Sequence, residues 1–315
     1  MTGEPPWHSW HLHVPTADPA VVEQLLLTCV PGALRLAGPA ADGTPRSWFY
    51  LRYWQHGPHL RLRVAGLTER SAAEVEAELA RGLAGIEAAL PADGRLTPAR
   101  YAELAAPLAA LGEYGTSLPA GELLAPGVHR ADYRPEVDRY GGPGAMAAAE
   151  QLFHVSSVVC LRACAARAGQ AGRARTLVDG LELLAAALPA WPDPEEFLHA
   201  NTAGWQALLD TPPPDPGALD AKAEALRPCA PALRRLAAGE AGRWSPLTRR
   251  LAAATAALTG ELGAGRARQI LASHLHMAHN RLGLGLAAES QLAGILLRLA
   301  IIDHASGLPV VTGRT

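Results

Sequence analysis

Tyr133-Arg134-Pro135-Glu136-Val137-Asp138-Arg139-Tyr140-Gly141-Gly142 divides the chain into two unlike parts. Before it, segments rich in β-formers alternate with helical patterns. After it, from about Ala145, the pattern is helical almost to the end. Strands grouped early and helices late specify an α+β fold. The expectation is a mostly antiparallel sheet with helices over about 1–144, then a large, mainly helical part over about 145–315. No internal repeat or low-complexity linker separates the two, which predicts a single domain over 1–315. The stretch itself holds two acids, two arginines and two tyrosines in ten residues. Pro135 fixes the backbone ahead of Glu136, and Gly141-Gly142 permits conformations closed to other residues. Glu136 and Arg139 suit an anionic ligand held by a guanidinium, with a carboxylate alongside to orient it or accept a proton. An internal Glu136–Arg139 ion pair bracing the turn is the competing reading, and the two are compatible.

Upstream, Trp7 to Val14 alternates in the manner of a strand. Asp18 to Val30 reads as a helix ended by Pro31-Gly32. Ser47–Gln55 and His59–Ala65 flank His56-Gly57-Pro58 and predict a hairpin. A helix is expected over Ala72–Leu90 with Ser71 as its cap. Arg95–Leu104 and Gly112–Gly127 read as connections, and His129–Arg139 as a return to the sheet. On the second hairpin strand Arg61 and Arg63 are two apart, so both leave the same face, while Leu60, Leu62 and Val64 point to the core. Two guanidiniums on one face clamp a carboxylate or an oxyanion; a solvated strand face is the alternative.

Downstream, helices are expected at about 145–168, 172–188, 194–209, 216–237, 246–261, 264–282 and 287–304. On the sixth of these, His276 and Asn280 are four apart and share a face that His279 borders. A neutral imidazole there is a natural proton shuttle. No HExxH motif occurs and no carboxylate stands at ligand spacing in that helix, so no metal is expected. Hydrogen-bonded structural roles are expected for His11, His13, His199 and His304.

The chain has 315 residues, 49% hydrophobic and 18% charged, with formal net charge −2, which gives no electrostatic case for nucleic acid or a membrane surface. No unbroken apolar run approaches the roughly 20 residues of a membrane span, and the N-terminus lacks a signal-peptide pattern. Cys29, Cys160, Cys164 and Cys229 show no CxxC and read as free thiols of a cytoplasmic protein. Lys222 is the only lysine. No Walker-type Gly-Lys-Ser/Thr loop exists, and Schiff-base chemistry would fall to Lys222, on a polar helix.

Arg61-Leu62-Arg63 after an aromatic strand, Pro135-Glu136 to Arg139-Tyr140-Gly141-Gly142 with Glu150 and Phe153 beyond, and His276-Met277 to Asn280-Arg281 together resemble one family. It is the C-terminal glutamate-elimination domain of class I lanthipeptide dehydratases, which also occurs free-standing in thiopeptide-type pathways. The likeness spans Trp10 to about Ala305. It implies a carbon–oxygen lyase acting on a ribosomally made precursor peptide whose Ser or Thr carries a glutamyl ester. Removal of the Cα proton and loss of glutamate would leave dehydroalanine or dehydrobutyrine.

On that resemblance Arg61 or Arg63 would stabilise the enolate oxygen, and Arg139 would hold the departing carboxylate. His276 and Glu136 are the candidates for the proton transfers, with Tyr140, Asn280 and Arg281 as substrate-binding neighbours. No cofactor is required. The partners implied are the precursor peptide, leader and glutamylated core, and a separate tRNA-dependent glutamylation protein, since the large glutamyl-transfer domain is absent. A homodimer is compatible with the resemblance; direct nucleic-acid binding is not expected. The same scaffold serves thiopeptide pyridine synthases, which join two dehydroalanines in a formal [4+2] cyclisation with leader release. A non-catalytic subunit presenting the peptide is a third reading.

Overall fold

The computed structural model describes residues 6–40, 42–111, 117–168, 172–209 and 215–302. Its sheet is built from β1 (Trp7–His13), β2 (Trp48–Tyr53), β3 (His59–Ala65) and β4 (Gly127–Arg130), in the order β2-β3-β1-β4 with antiparallel neighbours. Two-residue alternation gives the sheet two chemically different faces. Trp10, Leu12, Leu60, Leu62 and Val64 are completely or almost completely buried on one. That face packs on α1 (Pro19–Thr28) and α3 (Glu69–Ala89), with α2 (Val30–Ala37) against α3. The other face carries His11, His13, His59, Arg61 and Arg63; His13 pairs with His59 and His11 with Arg61 in register.

After α4 (Pro98–Leu111) and β4, the chain continues through α5 (Pro143–Arg167), α6 (Gly172–Ala187), α7 (Pro194–Leu209), α8 (Pro216–Leu226), α9 (Ala230–Ala237), α10 (Ser245–Leu262), α11 (Ala264–Leu282), α12 (Leu286–Glu289) and α13 (Leu292–Arg298). Helices α5 and α11 lie along the outer edge of β2 and complete its hydrogen bonding with side chains. The backbone N–H groups of Trp48, Tyr50 and Arg52 donate to His154 Nδ1 (3.2 Å), Ser157 Oγ (3.2 Å) and Asn280 Oδ1 (2.9 Å). Asn280 Nδ2 returns a bond to the Arg52 carbonyl at 2.9 Å. An edge strand that would otherwise leave polar groups unsatisfied is thereby sealed. A buried ionic knot adds to the frame, with Arg167 bonded to Asp179 (2.9 Å) and Glu23 (3.0 Å), tying α5 to α6 and α1.

Several boundaries differ from the sequence reading. Pro31 does not end a helix; it occupies the first turn of α2, where its missing N–H costs nothing. The cap of α3 is Thr68, whose hydroxyl accepts from the Ser71 N–H at 3.1 Å, so the helix starts before Ala72. The supposed connection after Arg95 is largely α4, opened by Thr97 and tolerant of Pro107 inside it. The return to the sheet lasts only four residues. A 3-10 turn at Arg227–Cys229, containing Pro228, breaks the expected 216–237 helix, and the expected 287–304 helix is two short ones, α12 and α13. His304 lies outside the described residues. By length and composition Pro19–Ala37 and Pro143–Arg167 could cross a membrane, but about half of each is buried in the core. The first is broken at Cys29 and the second carries the buried Glu150 and Arg167, as expected of core helices.

Candidate active site

Between the arginine-bearing sheet face and α7, α11 and α12 lies a cavity of about 740 Å³. Arg61, Arg63, Glu136, Arg139, Tyr140, His276, Asn280 and Arg281 all line it. Three distant segments therefore meet on one space. Seven arginines and two glutamates line the cavity, a cationic excess suited to an anionic ligand.

The sheet supplies two of the arginines, each held over aromatic rings. The Arg61 guanidinium lies 3.4 Å from the centroid of Tyr53, and its Nε donates to His59 Nε2 at 3.2 Å. His59 Nδ1 lies 2.9 Å from the Gly57 carbonyl and donates to it, which leaves Nε2 as an acceptor for Arg61. Arg63 is 9% exposed, lies 4.7 Å over Tyr133 and has a buried Nε–H without a hydrogen-bond partner among the described residues. Burial, then the charge of Arg61, lowers its pKa to about 10, so it remains a cation at neutral pH. Tyr133 donates to Glu150 Oε1 at 2.7 Å, and Trp7 Nε1 donates to the other oxygen at 3.2 Å.

The turn before α5 supplies the third cation. The Arg139 N–H donates to the Glu136 carbonyl (3.0 Å) and Arg139 Nη1 to Glu136 Oε2 (2.9 Å), so the ion pair read from the sequence exists and sits on the cavity wall. Gly141 and Gly142 have φ of +101° and +95°, left-handed backbone that glycine adopts without strain, and Pro143 then starts the helix. Tyr140 is buried against Phe153 and His274, with ring centroids 4.7 and 4.8 Å away. Burial pushes its hydroxyl up to about 12.

Helix α11 presents its histidines unequally. His274 is buried in the core, where desolvation and then the charge of Arg281 lower its pKa to about 3. His276 is partly exposed to the cavity beside Trp205, and its Nδ1 lies 2.8 Å from Glu289 Oε2. His279 is buried, with Nδ1 3.0 Å from Glu289 Oε1. Glu289 is itself buried. Burial raises its pKa, but the charge and hydrogen bond of His276, followed by those of His279, outweigh this and hold the carboxyl below its usual range. With Nδ1–H donated to Glu289, neutral His276 keeps its Nε2 lone pair for a proton.

Two expected ligand contacts have other employment. The amide of Asn280 is bonded through both ends to Arg52 backbone. Arg281 is 1% exposed and donates to Ser157 Oγ (3.1 Å) and Ser156 Oγ (3.3 Å). The sequence reading missed Glu289. The one available signal was an isolated acid in the apolar run Leu284-Gly285-Leu286-Ala287-Ala288-Glu289, and the Gly283 turn between it and α11 hides its proximity to His276.

A family model described as "Lantibiotic biosynthesis dehydratase C-term" matches residues 7–300. Among solved structures, the chain is similar to the pyridine synthase TbtD from thiomuracin biosynthesis, with TM-score 0.67, 20% identity, and 94% of this chain and 98% of that one covered. It is similar to TsrL with TM-score 0.60, 20% identity and 93% of each chain covered. Against the tRNA-dependent lantibiotic dehydratase MibB from Microbispora sp. 107891 the TM-score is 0.54 at 23% identity, covering 95% of this chain and 28% of that one. At these identities the likeness is one of fold. No curated protein sequence matches the chain. The match over residues 7–300, on an α+β scaffold with one arginine- and histidine-lined cleft, places the chain in the family of lantibiotic biosynthesis dehydratase C-terminal domains.

Proposed function

We propose that the chain is a lyase that eliminates glutamate from glutamylated Ser or Thr of a precursor peptide. The observation that carries this reading is the convergence of Arg61, Arg63, Glu136, Arg139 and His276 on one cationic cavity, with His276 oriented by a buried carboxylate. In the proposed reaction His276 Nε2 takes the Cα proton, and Glu289 stabilises the imidazolium that forms. Arg63, desolvated and with an uncommitted N–H, receives the developing enolate oxygen together with Arg61. The Cβ–O bond then breaks, and the departing carboxylate is met by Arg139, which Glu136 holds in place. No cofactor enters these steps. The implied partners are the precursor peptide and a separate glutamylating protein.

A second reading, cyclisation of two dehydroalanines, is favoured by the size of the cavity and by the aromatic and aliphatic share of its wall, including Trp54, Phe197, Trp205 and Leu208. A volume of about 740 Å³ exceeds one glutamyl-serine residue and admits a folded-back peptide segment. The test offers the protein a glutamylated peptide and, separately, a dehydrated peptide with two spaced dehydroalanines. Loss of glutamate from the first, seen by mass, with the second untouched, is the expected outcome. Cyclisation with leader release from the second and no reaction of the first would replace elimination by cyclisation. Tight binding of both without conversion of either would leave the peptide-presenting role.

A further inference from the structure

Away from the proposed proton chemistry, the arginine-bearing sheet face carries a largely buried accumulation of imidazoles. His11 and His13 leave β1 on one face; His59 faces His13 across β3, and His129 faces His11 across β4. One ring nitrogen from each of His11, His13 and His59 lies within 4.8 Å of the other two. The rings of His13 and His59 stack at 4.2 Å and those of His11 and His59 at 4.9 Å. We propose that His11, His13 and His59 form a binding site for a borderline divalent transition-metal ion of the zinc class.

Two observations support it. First, His59 Nδ1 donates to the Gly57 carbonyl. Anchoring one ring nitrogen to a backbone carbonyl is how metal-binding histidines are oriented, with the other nitrogen left as the ligand. Second, His13 is 2% exposed and its Nδ1 is buried without a hydrogen-bond partner among the described residues. A buried nitrogen kept away from water and from protein donors suits a cation better than an apolar core.

Imidazole is the ligand type that zinc, copper, nickel and iron accept. A Zn–N distance of about 2.0–2.1 Å in tetrahedral geometry needs nitrogens about 3.3 Å apart. The rings therefore close by ~1.5 Å and turn out of their stack, movements within the reach of side-chain torsions. Half-buried His11 is the side from which an ion enters. His59 Nε2 is also the atom that accepts from Arg61, and one lone pair serves one partner. Metal and the Arg61–His59 bond are therefore mutually exclusive, while the Tyr53 face still supports the guanidinium.

Untagged protein stripped with a chelator and titrated with Co²⁺, then Zn²⁺, is expected to take up one equivalent. Cobalt should give the intense visible d–d bands of a site of low coordination number, which zinc displaces. His11→Ala and His13→Ala should each weaken binding by about tenfold or more, and His199→Ala, on exposed α7 surface, should not. Arg61→Ala removes the competitor for His59 and should tighten binding. Absence of stoichiometric uptake, or affinity unchanged in His11→Ala, overturns the site. Unchanged affinity in Arg61→Ala removes His59 from it. Circular dichroism checks each variant's fold; if His13→Ala does not fold, the half-exposed His11→Ala decides.

Discussion

A carboxylate that bonds Nδ1 of His276 decides which ring nitrogen faces the cavity. His276→Ala should lower turnover on a glutamylated peptide by the roughly 10²–10⁴-fold of a lost acid/base group while the far-ultraviolet spectrum stays unchanged. Glu289→Gln keeps the volume but removes the charge that stabilises an imidazolium. It should lower kcat by at least about tenfold, with little change in KM, and shift the pH–rate profile. A profile identical to wild type would remove Glu289 from the proton chemistry. His276, Arg61, Arg63 and the Glu136–Arg139 pair were legible in the sequence because each shares a local element with a meaningful neighbour: i+2 on a strand, i+3 on a turn, i+4 on a helix. Glu289 was not, because its partner lies across a turn.

At the scale of elements, spacing identifies which residues share a face but not what an element's edge needs. Asn280 reads as a ligand-facing residue on α11, yet its amide completes the β2 edge. Asn280→Ala should strand the Arg52 N–H and carbonyl and cost about 1–3 kcal/mol of stability, measured as a lower urea midpoint at unchanged m-value. Leu at the same position should cost at least as much; equal stability would mean water replaces the amide. Helices with uninterrupted periodicity, such as α6, α7 and α11, sit where the pattern put them. Two of the misses involve proline in opposite ways: Pro31 reads as a stop but is accommodated in a first turn, and Pro228 lies within an expected helix but forms a 3-10 step. A local rule for proline cannot see the packing that decides between these outcomes.

The whole molecule stores many of its imidazoles uncharged. Folded pKa values of His11, His13, His59 and His274 all lie below the ordinary 6.5, chiefly through burial. The unfolded chain therefore binds more protons than the native one once pH falls below about 6.5, and stability declines from there toward the folded values. For a fully buried histidine such as His59 or His274 the loss is about 1.4 kcal/mol per pH unit below 6.5. Below 4.5 the lowered pKa of Glu289 adds to it, since its stabilisation disappears as the carboxylate protonates. The melting temperature should drop steadily from pH 7 to pH 5, and His13→Gln should flatten that slope. His13 meets charge from Arg61, His56 and His129, so protonating one member raises the cost of the next. A flat profile over that range would show the imidazoles to be solvated.

The seam between β2 and helices α5 and α11 has a mechanical consequence. Arg61 and Arg63 stand on the strand next to β2, and His276 stands on a helix bolted to β2 through Asn280, so these two parts of the cleft wall are held to each other. A clamshell opening would have to tear out the bonds at Trp48, Tyr50 and Arg52. A ligand therefore meets the arginines of the sheet and the imidazole of α11 at a spacing that exists before it arrives.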